Sequence, residues 1–141
     1  MIKIQYKHLK DITDFLINAI SAKGKKNVHR MRIVKAIENK NKEVGEEELS
    51  LLKDYVKLED GELKRNEVGG FDFKDAKGFN EQHKALYDEY FTIEDKNLES
   101  ALKTVEKLVN DYDKELSGKH AEAHFILIEA FEEIDTEEEE E

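Results

Sequence analysis

His120 and His124 lie four residues apart, so on a helix they share one face, with Glu122 between them. Two imidazoles at that spacing can bind Zn²⁺ if a third ligand approaches, and His83 is a candidate for it. The order is not the HExxH of zinc proteases, because the glutamate does not follow the first histidine. The neighbours Ala121, Ala123 and Phe125 point instead to the half-buried start of a helix. Acid pairs such as Asp111 with Asp113, or Asp88 with Glu89, have the residue types of a general acid and base. That chemistry needs an apolar setting to drive the two pKa values apart. In a chain that is 40% charged, a solvated face is the expected home of such pairs. Asp54, Glu59 and Asp60 do not follow calcium-loop spacing. No phosphate-binding loop or nucleophile elbow is present, and Lys23-Gly24-Lys25-Lys26 is simply a basic loop with a glycine. Zero cysteines exclude disulfides, thiolate metal sites and thiol nucleophiles. No cofactor and no catalytic residues are expected, and the chain does not read as an enzyme.

The stronger candidate surface is cationic. Residues 1–42 hold eleven Lys and Arg against three acids, a net of +8, whereas residues 132–141 hold eight acids and no base. The whole chain carries −11, so its charge is strongly polarised along the sequence. The basic groups concentrate in Lys23, Lys25, Lys26, His29, Arg30, Arg32 and Lys35. Such a patch suits an acidic partner, a phosphate or a nucleic-acid backbone. Alternatively, the same cations pair with acids on the last helices of the same chain. Direct nucleic-acid binding is not expected, given the overall negative charge and the lack of a recognition-helix signature. The acidic end reads as a solubilising tail or, alternatively, as a mimic of a phosphate backbone.

Long helices must position these groups. Proline is absent and glycine is held to seven, so helix breakers are rare. Ile2, Ile4 and Tyr6 alternate with polar residues as a short strand. Leu9, Ile12, Phe15, Leu16, Ala19 and Ile20 recur at helical spacing, predicting a first helix over about residues 7–22. A second runs over 28–57, kinked near Gly45 or split there in two. Asp60-Gly61 and Gly69-Gly70 are turn signals. They predict a hairpin of Leu63–Arg65 against Gly70–Phe73, able to recruit the N-terminal strand, or else a bare loop. A helical stripe follows from Phe79 to Tyr90-Phe91, then helices over about 96–116 and 119–134. Ile33 and Ile93 are candidates for exposed apolar residues at an oligomer seam, although no oligomeric state follows. The expectation is a mainly α fold, a bundle of four to five helices with a small β element at residues 2–6 and 62–73. It forms a single helical domain over 1–134, with an acidic disordered tail over 135–141. The opening residues lack the apolar stretch of a secretory signal, and no segment is apolar enough to span a bilayer. A reducing, cytoplasmic setting is expected.

Several of these segments together resemble a family of small phage and prophage proteins from Gram-positive bacteria. They are the Ile2-Lys3-Ile4 strand, Lys23-Gly24-Lys25-Lys26, Arg30-x-Arg32, Glu46-Glu47-Glu48-Leu49, Leu116-x-Gly118 and Ala130-Phe131-Glu132. The family is a domain of unknown function, so the resemblance implies a viral origin and a host-cytoplasmic or virion setting without supplying catalytic residues. The function expected is that of a non-enzymatic protein-interaction module. It would be a virion (tail) assembly accessory or an inhibitor of a host factor, with a phage structural protein or a host protein as partner. The alternatives are a metal-binding or hydrolytic protein using His120 and His124, or a phosphate or nucleic-acid-backbone binder through the Lys23–Lys35 patch.

Overall fold

A computed structural model describes the backbone of residues 1–140 and the side chains of residues 1–134. Among the described residues the fold is mainly α, with five helices and small β elements. Strand β1, Ile2–Gln5, buries Ile2 and Ile4 and turns Lys3 outward, as its alternation requires. Helix α1, Leu9–Asn18, places Leu9, Ile12, Phe15 and Leu16 on one face, all fully buried. Helix α2 runs without interruption from Gly24 to Tyr55. At 1.5 Å per residue its 32 residues span about 48 Å. Gly45 does not divide it. Beyond α2 lie the short strands β2, Leu58–Glu59, and β3, Glu62–Leu63, followed by α3, Ala76–Asp88, and β4, Tyr90–Ile93. Helices α4, Glu99–Asn110, and α5, Gly118–Glu140, complete the chain.

Strand β1 pairs antiparallel with β4, matching Ile2 to Ile93 and Ile4 to Phe91. This corrects two expectations. Tyr90-Phe91 leaves the α3 stripe to become strand, since a Tyr-Phe-Thr-Ile run packs well on a pleated surface. The N-terminal strand therefore joins β4 and not the 62–73 hairpin. Ile93 and Ile33 are buried as well, each 2% exposed, so neither is a surface seam. The hairpin pairing does occur, with a bridge between Arg65 and Phe71. It is completed by β2, which reaches β3 through Asp60 and Gly61. Both turn residues have positive φ (53° and 82°), as a tight primed turn demands. Segments 56–59, 62–65 and 71–73 then close on one another. Lys64 N–H donates to Lys57, Asp72 N–H to Lys64, and Lys57 N–H to Asp72.

The core lies where α1, the first half of α2, α4, α5 and the β1–β4 ribbon meet, with Ile33, Val34, Ile37, Val105, Val109, Ala123 and Leu127 at its centre. The early turns of α5 touch the end of α1, where His120 and His124 flank Phe15, while Phe131 and Ile134 lie beside Met1. Past Val44, α2 outruns this core and is accompanied by α3 through a file of rings: Tyr55, Phe79, His83 and Tyr87. The backbone of α5 runs on to Glu140, through residues for which a disordered tail is expected from the sequence. Glu141 lies outside the described residues.

Candidate functional site

The basic segment opens α2. Lys23 has extended backbone and no side chain caps the first turn. Gly24 takes φ +56°, a left-handed value that permits the abrupt entry from the α1–α2 connection. The seven candidate residues fall into two groups. Lys23, Lys25, Lys26, Arg32 and Lys35 are exposed, and none forms an ion pair with a described residue. The alternative in which these cations neutralise acids on the last helices is therefore not realised among the described residues.

His29 and Arg30 point inward. His29 is 9% exposed and its Nδ1 lies 2.7 Å from Thr104 Oγ1. Thr104 Oγ1 also lies 3.2 Å from the Ser100 carbonyl, so it bridges His29 and the α4 backbone. Arg30 Nη1 donates to the carbonyls of Leu16 (2.9 Å) and Ile20, and its Nη2 donates to Asn27 Oδ1 at 2.6 Å. The guanidinium thus satisfies carbonyls at the C-terminal end of α1, where a cation also faces the negative end of the helix dipole. α1 stops at Asn18, short of the expected end near residue 22. Both residues leave the candidate partner surface and belong to the fold.

Beside the exposed cations runs a groove of about 510 Å³. Val28, Met31 and Ala36 of α2 and Leu98, at the end of the 3₁₀ turn before α4, supply apolar walls, and Arg32 and Lys35 stand at its margin. Val28 is 46% exposed, although its spacing with Met31 imitates a core stripe. Leu98 was the missing wall. Only the packing of α4 on α2 brings it there, and nothing local in the sequence signals that contact.

Other polar groups meet elsewhere. Glu48 Oε2 on α2 accepts from the Tyr87 hydroxyl at 2.6 Å and lies 2.8 Å from His83 Nε2. The Tyr87 hydrogen bond, then the His83 contact, hold the Glu48 carboxyl below its ordinary value against the opposing effect of burial. Burial first, then Glu48, push the Tyr87 phenol up to about 12. Sequence periodicity places His83 and Tyr87 on one face but gives no hint of Glu48, 35 residues away from His83. This trio joins α3 to the far half of α2. His83 is accordingly not beside His120 and His124. Those two edge onto Phe15 with ring centroids 5.9 and 5.8 Å away, and His124 Nε2–H donates to the Val109 carbonyl at 3.1 Å. Among the described residues no group of three or more His, Cys, Asp or Glu is placed to hold a metal ion. Asp88 is taken up by Lys7 at 3.2 Å and Lys84 at 2.5 Å, and these two hydrogen bonds lower its pKa. Asp111 and Asp113 sit on the exposed surface. No described helix is long and apolar enough to cross a membrane. No family model, curated protein or solved structure matches the chain.

Proposed function

We propose that this chain is a phage-encoded, non-enzymatic protein-interaction module that docks an acidic partner through the exposed start of α2, in the host cytoplasm or on the virion. One observation carries the reading: five cations stand exposed at one helix start without an ion pair to any described residue, in a chain whose net charge is −11. Lys7, Lys84 and Lys119 enter ion pairs, whereas Lys3, Lys10 and Lys114 stand without one to a described residue, so what sets this surface apart is the clustering of five such cations in one short segment. Cations left free keep their field available to an incoming anionic surface, which speeds encounter and orients it. The phage origin is supported by the resemblance in sequence segments given above. The non-enzymatic character is supported by where the acid and histidine candidates lie, paired with lysines, packed on Phe15 or open to solvent.

The test compares two tagged proteins recovered from infected host cells. One is the wild type, and the other has Lys23, Lys25, Lys26, Arg32 and Lys35 replaced by Gln. The wild type should retain a specific protein that the variant loses, with unchanged far-ultraviolet circular dichroism, and the complex should weaken as salt rises. Mass spectra of purified particles then separate a virion partner from a host one. A partner retained equally by the variant refutes the reading.

A further inference from the structure

We propose that the groove along the start of α2 takes an acidic amphipathic helix of the partner protein, an inference that rests on the docking reading above and gives its partner a shape. From Val28 to Asn39 the groove follows α2 for about 16 Å, the length of three helical turns. Its lining is largely apolar through Val28, Met31, Ala36 and Leu98, with Asn27 and Asn39 beside them, and Met31 supplies an unbranched side chain that adapts to varied surfaces. Arg32 and Lys35 stand at its margin, and Lys25 lies one turn before Val28 on the same face of α2. A helix presenting an apolar stripe at i, i+3, i+4 and i+7 with Asp or Glu beside it matches both features, the stripe against the floor and the carboxylates against the rim. A nucleic-acid strand matches only the rim. None of the lining side chains is aromatic, so bases have no platform to stack on, and phosphates gain nothing from Val28 and Leu98.

Fluorescence anisotropy on the full chain tests this with three labelled probes. The first is a synthetic peptide with leucines at i, i+4, i+7 and i+11 flanked by glutamates. The second has the same length and charge with serine for leucine, and the third is a single-stranded oligonucleotide. The leucine–glutamate peptide should bind tightest. It should lose about tenfold in affinity with Val28→Gln plus Met31→Gln, and about tenfold with Arg32→Gln plus Lys35→Gln. The serine peptide should respond only to the second pair. Thermal unfolding of each variant checks the fold, and Val28→Gln alone replaces the first pair should that pair unfold. Equal binding of both peptides, or indifference to the first pair, overturns the groove while leaving cationic docking intact. Tighter binding of the oligonucleotide overturns the inference in favour of a nucleic-acid partner, and failure of the leucine–glutamate peptide to bind overturns it outright. Docking itself fails separately, when the five-cation variant keeps its cellular partner.

Discussion

Arg30→Met separates a structural arginine from a partner-binding one. The substitution keeps the apolar stem but removes donors to the Leu16 and Ile20 carbonyls and to Asn27 Oδ1. A hydrogen bond to a charged group contributes about 1.5–3 kcal/mol when its acceptor would otherwise be stranded. Three such bonds do not simply add, since the site is only part-buried and the released carbonyls can turn to water. Arg30 Nε, buried without a partner among the described residues, is relieved by the same change. That recovers roughly 1–3 kcal/mol of desolvation cost. The net loss should therefore be about 2–3 kcal/mol, a drop in Tm of about 7–10 °C for a domain of this size. Arg30→Lys keeps a cation near the end of α1 but cannot fork, so about 1 kcal/mol of the loss should return. Urea unfolding followed by circular dichroism measures both, with an unchanged m-value showing that compactness is preserved. Suppose Arg30→Met costs less than about 0.5 kcal/mol, the range of ordinary surface changes, yet abolishes partner binding. The arginine then belongs to the docking surface and the inward geometry is wrong.

Three further outcomes follow from the packing. Gly45→Ala should stabilise by about 0.5–1 kcal/mol, because an added Cβ there meets nothing within 4 Å inside an unbroken helix. Gly78→Ala should destabilise, since its Cβ runs into the Asp75 carboxylate that caps α3 and comes within 3.0 Å of Tyr55; chemical denaturation showing the reverse order breaks the account of both sites. Ile33→Ala should cost about 2–5 kcal/mol by opening a core cavity, whereas Ile17→Ala, at a residue 43% exposed, should stay within about 0.5 kcal/mol in the same assay. For the Glu48 trio the pH signs are opposite. The lowered Glu48 pKa contributes stability present above about 4.5 and lost as pH falls through the folded value, so Glu48→Gln should flatten that acid limb. The raised Tyr87 pKa contributes stability present below 10.0 and lost as pH rises towards about 12. Ultraviolet difference titration against Tyr87→Phe should show the Tyr87 midpoint falling in Glu48→Gln while remaining above 10.0, because burial, the larger cause, persists; an unmoved midpoint removes Glu48 from the account.

The helical architecture was legible because its signals are local. Leu9, Ile12, Phe15 and Leu16 announce α1 through spacing alone, and every one is buried. What escaped depends on distant partners. Tyr90-Phe91 fits a helical stripe as well as a strand, and only the edge offered by Ile2–Gln5 decides between them. Helix ends moved for a similar reason. α4 stops at Asn110, where Tyr112 N–H bonds to the Val109 carbonyl and its ring turns onto Phe15 at 5.6 Å. The candidate site divided along the same line. Charge density singled out the basic segment, but the helix begins at Gly24, four residues before the expected 28, and composition treats Arg30 and Arg32 alike. The 3.6-residue period sends one to the α1 carbonyls and the other to solvent.

That division also limits where function can lie along α2. Its first half is held on its inner side by Ile33, Val34 and Ile37, all 2% exposed or less, and His29 and Arg30 fix its start to α4 and α1. Arg32 and Lys35 on the outer side are therefore displayed on a rigid support, which lowers the ordering cost a partner must overcome. Past Val44 the same helix has α3, none of whose residues is buried, and contacts made by half-exposed rings and the Glu48 trio. Few buried apolar contacts mean a lower free energy of local opening there than in the core. A docking face gains from the rigid half, so the cationic start of α2 is the better placed of the two surfaces to bind a partner without first being ordered by it.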